Sequence, residues 1–153
     1  MFRKTMIGAL SAATFALAGA AFAQTAQFGT AAEAKAMLEK AVAAVKADKA
    51  KAFDQFNKGE GGFKDRDLYP FCGNATDGVM SAHPSPAIRA IKMTDIKDKT
   101  GFALGAEMIK VAKEGAVSEV AYQWPRPGSE TPVAKVSFVT KVGDQVCGVG
   151  YYK

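Results

Sequence analysis

The chain has 153 residues, 20 of them Lys or Arg and 15 Asp or Glu, for a net charge of +5 at neutral pH. The basic residues are spread along the sequence without clustering, which argues against a nucleic-acid partner. One histidine and two cysteines far apart exclude a zinc knuckle, a CxxC redox pair and a CxxCH haem attachment.

The first segment reads as an export signal. Arg3 and Lys4 precede an uncharged, mostly apolar run from Met6 to Ala20, and Ala21-Phe22-Ala23 then places small residues at the two positions a signal peptidase reads. Cleavage is expected near Ala23/Gln24, which makes residues 1–23 a signal peptide and residues 24–153 one domain. The apolar run is shorter than the roughly 20 residues a membrane span needs. The mature chain of 130 residues keeps 18 basic and 15 acidic residues, is long enough for a sizeable core, and is expected to be soluble and periplasmic or secreted. In that oxidising compartment the isolated pair Cys72 and Cys147 is expected to form a disulfide, with two reduced, buried thiols as the alternative.

After a loose leader, Thr30-Ala31-Ala32-Glu33 has the form of a capping box, in which the Thr and Glu side chains each satisfy an orphan backbone donor. From there to about Lys58, Met37, Leu38, Ala41, Val42, Val45, Ala52, Phe53 and Phe56 recur at helical spacing. The stripe lapses for one turn at Asp48 and Lys49; one long amphipathic helix is the expectation, stopped by Gly59–Gly62. DLYPFCG (Asp67–Gly73) and VMSAH (Val79–His83) flank the turn signal Asn74–Gly78 and read as a hairpin. Pro70 points to a bulge or an edge, and Pro84 and Pro86 open a loop. A charged connector, Asp95–Gly101, leads into a second helix over Phe102–Lys113, stopped at Gly115. Three strands follow, Ala116–Trp124, Ala134–Val142 and Gln145–Tyr152, which pair most simply as an antiparallel meander. The sum is an α+β domain with helices packed on a five-stranded antiparallel sheet.

Four segments, in order, carry a resemblance: DLYPF at Asp67–Phe71, DGVMSAHP at Asp77–Pro84, VAYQWPRPGSETPVAK at Val120–Lys135, and VSFVTKVGDQVCGVGYY at Val136–Tyr152. The ordered set AHP, YxWPxPG, K-x-S-[FY]-V and GVGYY resembles the single Cache domain of type 2, an extracytoplasmic sensor module, over nearly all of the mature chain. The resemblance implies a PAS-like fold, with a long N-terminal helix and a five-stranded antiparallel sheet. It also implies a small organic anion held on one face of that sheet, no cofactor, and pairing of two copies through the long helix. The sequence ends at Lys153, directly after the last predicted strand, so a free-standing form is expected, acting through a membrane-bound sensor kinase, chemoreceptor or transporter. In the PAS-like strand order the first and last strands are neighbours, which puts Cys72 and Cys147 within reach of a cross-strand bond.

A small carboxylate needs a cation or donors in an otherwise apolar cleft. Strand alternation places Tyr122 with Trp124, and Tyr69 with Phe71, as two aromatic walls. Lys135 supplies the charge, as a lysine at this place does in the resembled family, and His83 a donor. Each has a plainer reading: the aromatics as core packing, Lys135 as a solvated strand-end lysine, His83 as a structural histidine bonded within its loop. Arg126, in a Pro/Gly loop, could gate the pocket mouth, but an exposed loop arginine is the favoured reading.

No HExxH, GxSxG, P-loop or GxGxxG is present, and Asp95 and Asp98 lack the spacing of a calcium loop. The expected function is therefore binding, not catalysis, with neither catalytic residues nor a metal site. The rival is an accessory subunit of a sensor or transport complex that binds a protein partner and has a filled interior.

Overall fold

The computed structural model describes residues 27–153. The predicted signal peptide and its cleavage position lie outside them. Thr30 forms the expected capping box with Glu33 and starts helix α1, Ala31–Ala47. The chain then departs from the one-helix expectation. Asp48 adopts an extended conformation (φ −157°, ψ 97°) and serves two helices at once: its N–H closes α1 on Ala44 O, and its carboxylate accepts from Lys51 N to cap α2, Lys49–Lys58. A side chain that competes for backbone donors in this way breaks a helix. The lapse in the apolar stripe at Asp48 and Lys49 marks the break.

Five strands follow among the described residues: β1 Pro70–Asn74, β2 Met80–Ala82, β3 Ser118–Pro125, β4 Pro132–Val142 and β5 Gln145–Tyr152. They form one antiparallel sheet in the order β2-β1-β5-β4-β3, so the first and last strands are neighbours and β3 to β5 are the expected meander. Pro70 is the first residue of β1, where its missing N–H costs no ladder bond. The β1–β2 register shifts between Cys72 and Gly73, a bulge near the place Pro70 predicted. Cys72 and Cys147 are direct register partners and are disulfide-bonded, with Cα atoms 4.1 Å apart.

The sheet has two buried faces. On one, α1 and α2 lay Leu38, Ala41, Val45, Ala52 and Phe56 against Phe138, Cys147 and Val149. On the other, the segment between β2 and β3 folds back as a cover. It contains α3 (Pro86–Arg89), a 3-10 turn at Met93–Asp95 and α4 (Leu104–Val111), and it buries Met93, Ile96, Leu104 and Met108 against Phe71, Val120, Tyr122 and Val139. The loop expected after Pro84 thus holds two short helical pieces. Along β5, residues alternate between these faces: Cys147 and Val149 meet the helices, while Gly148 and Gly150 face the cover.

Candidate ligand-binding site

Between sheet and cover lies a cleft with about 40 Å³ of free volume for atoms of water size. Its wall contains all six residues singled out from the sequence: Tyr69, Phe71, His83, Tyr122, Trp124 and Lys135. Period-two alternation explains the convergence, since Tyr69 and Phe71 lead and line β1, Tyr122 and Trp124 line β3, and Lys135 lies opposite Tyr122 on β4. The cover closes the far side with Ile88, Met93, Ile96, Leu104 and Met108.

Two glycines make the room. A Cβ on Gly150 would stand 2.4 Å from Lys135 Cε, and one on Gly148 would stand 2.5 Å from the Phe71 ring. The GVGYY run therefore leaves a trough down the centre of the sheet, and the Lys135 stem lies in it.

Lys135 is 3% exposed, so the solvated strand-end reading does not hold. Its Nζ donates to the Tyr69 and Tyr152 hydroxyls, each at 3.3 Å, and lies 4.8 and 4.5 Å from their ring centroids. It forms no ion pair with a described residue. Burial therefore pushes its ammonium down to about 7, with the Asp67 carboxylate opposing and Arg126 adding to the fall. The cleft thus holds one cation-forming group that the fold does not neutralise.

His83 serves both the structural and the cavity reading. Its Nδ1 accepts from Ser85 N at 2.9 Å, its N–H donates to Asn57 Oδ1, and its carbonyl accepts from Arg89 Nη1. With Nδ1 occupied as an acceptor, the neutral ring carries its proton on Nε2. Burial, then the charge of Lys135, lowers the imidazole to about 4, so the ring is a neutral donor at physiological pH. It meets the Tyr69 ring edge to face at 5.2 Å. Burial also raises Tyr69, to about 12, and raises Tyr122, whose hydroxyl is bonded to Ser137 Oγ at 2.7 Å. The phenols stay protonated. Tyr122 packs its ring edge to face with Trp124 at 6.1 Å.

Two residues around the site, Tyr152 and Asp67, escaped the sequence reading, and a third, Arg126, was read as exposed. Tyr152 donates to Pro125 O at 2.7 Å while accepting from Lys135. Asp67, 5% exposed, accepts from Gly29 N at 2.7 Å and from Arg126 Nη1 at 3.0 Å. Arg126 corrects the expectation of an exposed loop arginine: its guanidinium is sandwiched between the rings of Phe28 (3.9 Å) and Tyr152 (4.5 Å). Alternation along GVGYY puts Tyr152 on the Lys135 face, a signal available in the sequence. The Asp67–Arg126 pair, 59 residues apart, left none.

A sequence profile described as a Cache domain matches residues 49–151. The chain belongs to the Cache domain family. Over 91 residues it is 35% identical to the methyl-accepting chemotaxis protein McpP of Pseudomonas putida, a match that takes in 58% of this chain and 16% of that much longer relative. This Cache domain also superposes on a methyl-accepting chemotaxis protein from Vibrio parahaemolyticus with a TM-score of 0.64 at 22% identity, over 79% of this chain and 86% of the other. A second solved structure, described as the structural basis for carboxylic acid recognition by a Cache chemosensory domain, aligns with a TM-score of 0.59 at 26% identity, over 79% and 86% of the two chains. A periplasmic sensor domain of a chemotaxis protein aligns at 0.60 and 24%, over 79% and 88%. The PAS-like α+β architecture is shared with these sensor domains.

Proposed function

We propose that this protein is an exported sensing module whose cleft takes a small organic anion and whose occupancy is read by a membrane-bound partner of the chemoreceptor or sensor-kinase kind. The single observation that carries the reading is Lys135: a buried amine that forms no ion pair with a described residue, bonded to two phenols in a mostly apolar cavity whose wall also carries the neutral His83. Such a group is costly to leave uncompensated, and an anion supplies what the fold withholds. The aromatic and methionine walls and the narrow cleft favour a small ligand with a short apolar tail. One cation argues for a monocarboxylate over a dicarboxylate. The carboxylic-acid description of the second solved structure supports the same class, the chemotaxis name of the relative supports a sensing role, and the N-terminal leader supports a periplasmic address.

The test is a thermal-shift screen of the mature, metabolite-free chain against short carboxylates. At saturating ligand, stabilisation follows from preferential binding to the folded state. We expect at least one short monocarboxylate to raise Tm and Lys135→Ala to abolish the rise. If none does, or if the variant responds equally, the anion reading fails and the accessory-subunit reading takes its place.

A further inference from the structure

Among the residues lining the cleft, only Tyr69, Ile88 and Trp124 are partly open to solvent, so any doorway lies among these three. Trp124 has a second role. It is also a wall of a separate outer hollow, made with Lys97, Asp98, Lys99 and Pro125. One residue thus borders both the inner cavity and a surface basin.

That basin is basic by construction. Lys97 and Lys99 are exposed, and neither forms an ion pair with a described residue. Asp98, between them, is turned inward and is 8% exposed. Its Oδ1 accepts from Thr100 N (2.8 Å), Thr100 Oγ1 (2.6 Å) and Phe102 N (3.0 Å), and its Oδ2 accepts from Gln123 N at 3.0 Å. The Thr100 hydroxyl foremost, with these backbone donors, lowers its carboxyl to about 2. Four donors therefore take up the carboxylate, and the last one clamps the loop to the outer edge of β3, one residue before Trp124. On the Tyr69–Ile88 side Arg89 also carries a charge, but its Nη1 is held by the carbonyls of His83 and Pro84.

We propose that the anion enters between the 97–99 loop and Trp124: Lys97 and Lys99 draw it in, Trp124 rotates aside as the gate, and Asp98 positions the two lysines. This rests on the anion-binding reading above. Trp124 suits the part. Its backbone is held opposite Val133, while its ring is only half-buried and packs edge to face with Tyr122. Electrostatic steering acts on the association rate and fades with salt, whereas a packing role acts on dissociation and does not.

The sequence supplies its own probe, since Trp124 is its single tryptophan. Acetate and propionate binding to the mature chain is first established by calorimetry, then followed by stopped-flow tryptophan fluorescence in wild type and in Lys97→Glu/Lys99→Glu. We expect kon to fall roughly fivefold or more at low ionic strength and the difference to vanish near 0.5 M salt, on the order expected for steering. koff should stay unchanged. An unaltered kon, or a change in koff instead, overturns the gate while leaving the site intact. Absence of calorimetric binding of acetate, propionate and every other short monocarboxylate of the screen to wild type overturns both. As a second readout, the association rate extracted from line shapes of 13C-labelled acetate should rise in Trp124→Ala; a lower or unchanged association rate contradicts the gate.

Discussion

The Arg126 guanidinium donates to the buried Asp67 carboxylate at 3.0 Å, and Asp67 forms its ion pair with this arginine and not with Lys135. The Arg126 guanidinium carbon and the Lys135 ammonium each lie 4.5 Å from the centroid of the Tyr152 ring. Removing Arg126 should redirect the Asp67 charge toward Lys135. We expect Arg126→Ala to weaken carboxylate binding about tenfold, since a nearby opposite charge satisfies the ammonium in place of the ligand. The double variant Asp67→Asn/Arg126→Ala should recover most of the affinity. Titration calorimetry of the three proteins checks this.

Binding should be linked to proton uptake at Lys135. The groups facing it are Tyr69, Tyr152 and Tyr122, protonated throughout, neutral His83, and the Asp67–Arg126 pair. With its ammonium lowered to about 7 in the empty cleft, Lys135 is charged at pH 6 and largely neutral at pH 8.5. An anion restores the charged form, so affinity should fall toward tenfold per pH unit above about 7. Calorimetry in buffers of different ionisation enthalpy should give near-zero proton uptake at pH 6 and close to one proton at pH 8.5. The stability of the unliganded protein should move the other way. Because the folded state lowers Lys135, the unfolded chain binds the extra proton between about 7 and the ordinary lysine value, and stability rises with pH across that window. His83, lowered to about 4, has the same sign at lower pH: its contribution is lost as pH falls from its ordinary value toward 4.

Gly150 offers a change that should damage binding more than folding. A methyl there would meet Lys135 Cε at 2.4 Å and Ser137 Oγ at 2.7 Å, and the lysine stem is the flexible partner. Gly150→Ala should therefore push the ammonium out of its place between the phenols. We expect at least tenfold weaker carboxylate binding with a Tm loss of only a few degrees, read by calorimetry and circular dichroism. Gly105→Ala is the contrasting control. Its Cβ would stand 1.7 Å from Met93 O, a backbone atom that cannot step aside, so it should unseat the cover and unfold at much lower temperature.

The disulfide joins neighbouring strands on the helix-packed face, away from the cleft. Cys72→Ala/Cys147→Ala should cost about 2–5 kcal/mol, the usual loss for a small secreted domain. In denaturant titration the midpoint should drop while carboxylate affinity stays within about twofold, once measured where the variant is folded.

The site was legible where alternation alone decides direction. Tyr122 with Trp124 and Tyr69 with Phe71 had to share faces, and the order of the matched segments brought those faces together with Lys135. What alternation cannot state is what lies above the sheet. Met93, Leu104 and Met108 form that roof through a segment read as a loop, a connector and one helix, and only tertiary packing decides that they cover this face. Burial of Lys135 follows from the roof, and so it was equally hidden. Arg126 misled for a related reason. A Pro/Gly loop is ordinarily exposed, but Phe28 and Tyr152 clasp the guanidinium and Asp67 holds it. Asp48 is the opposite case: its interruption of the apolar stripe was visible, and its double capping role is the physical reason the helix divides there.

The most direct measurement is a crystal structure of the mature chain with whichever short carboxylate stabilises it most. The account expects the carboxylate within about 3 Å of Lys135 Nζ, at ordinary charge-assisted hydrogen-bond length, with its alkyl tail against Met93 and Met108. A ligand bound elsewhere, or one in the cleft with its carboxylate turned away from Lys135, would contradict it.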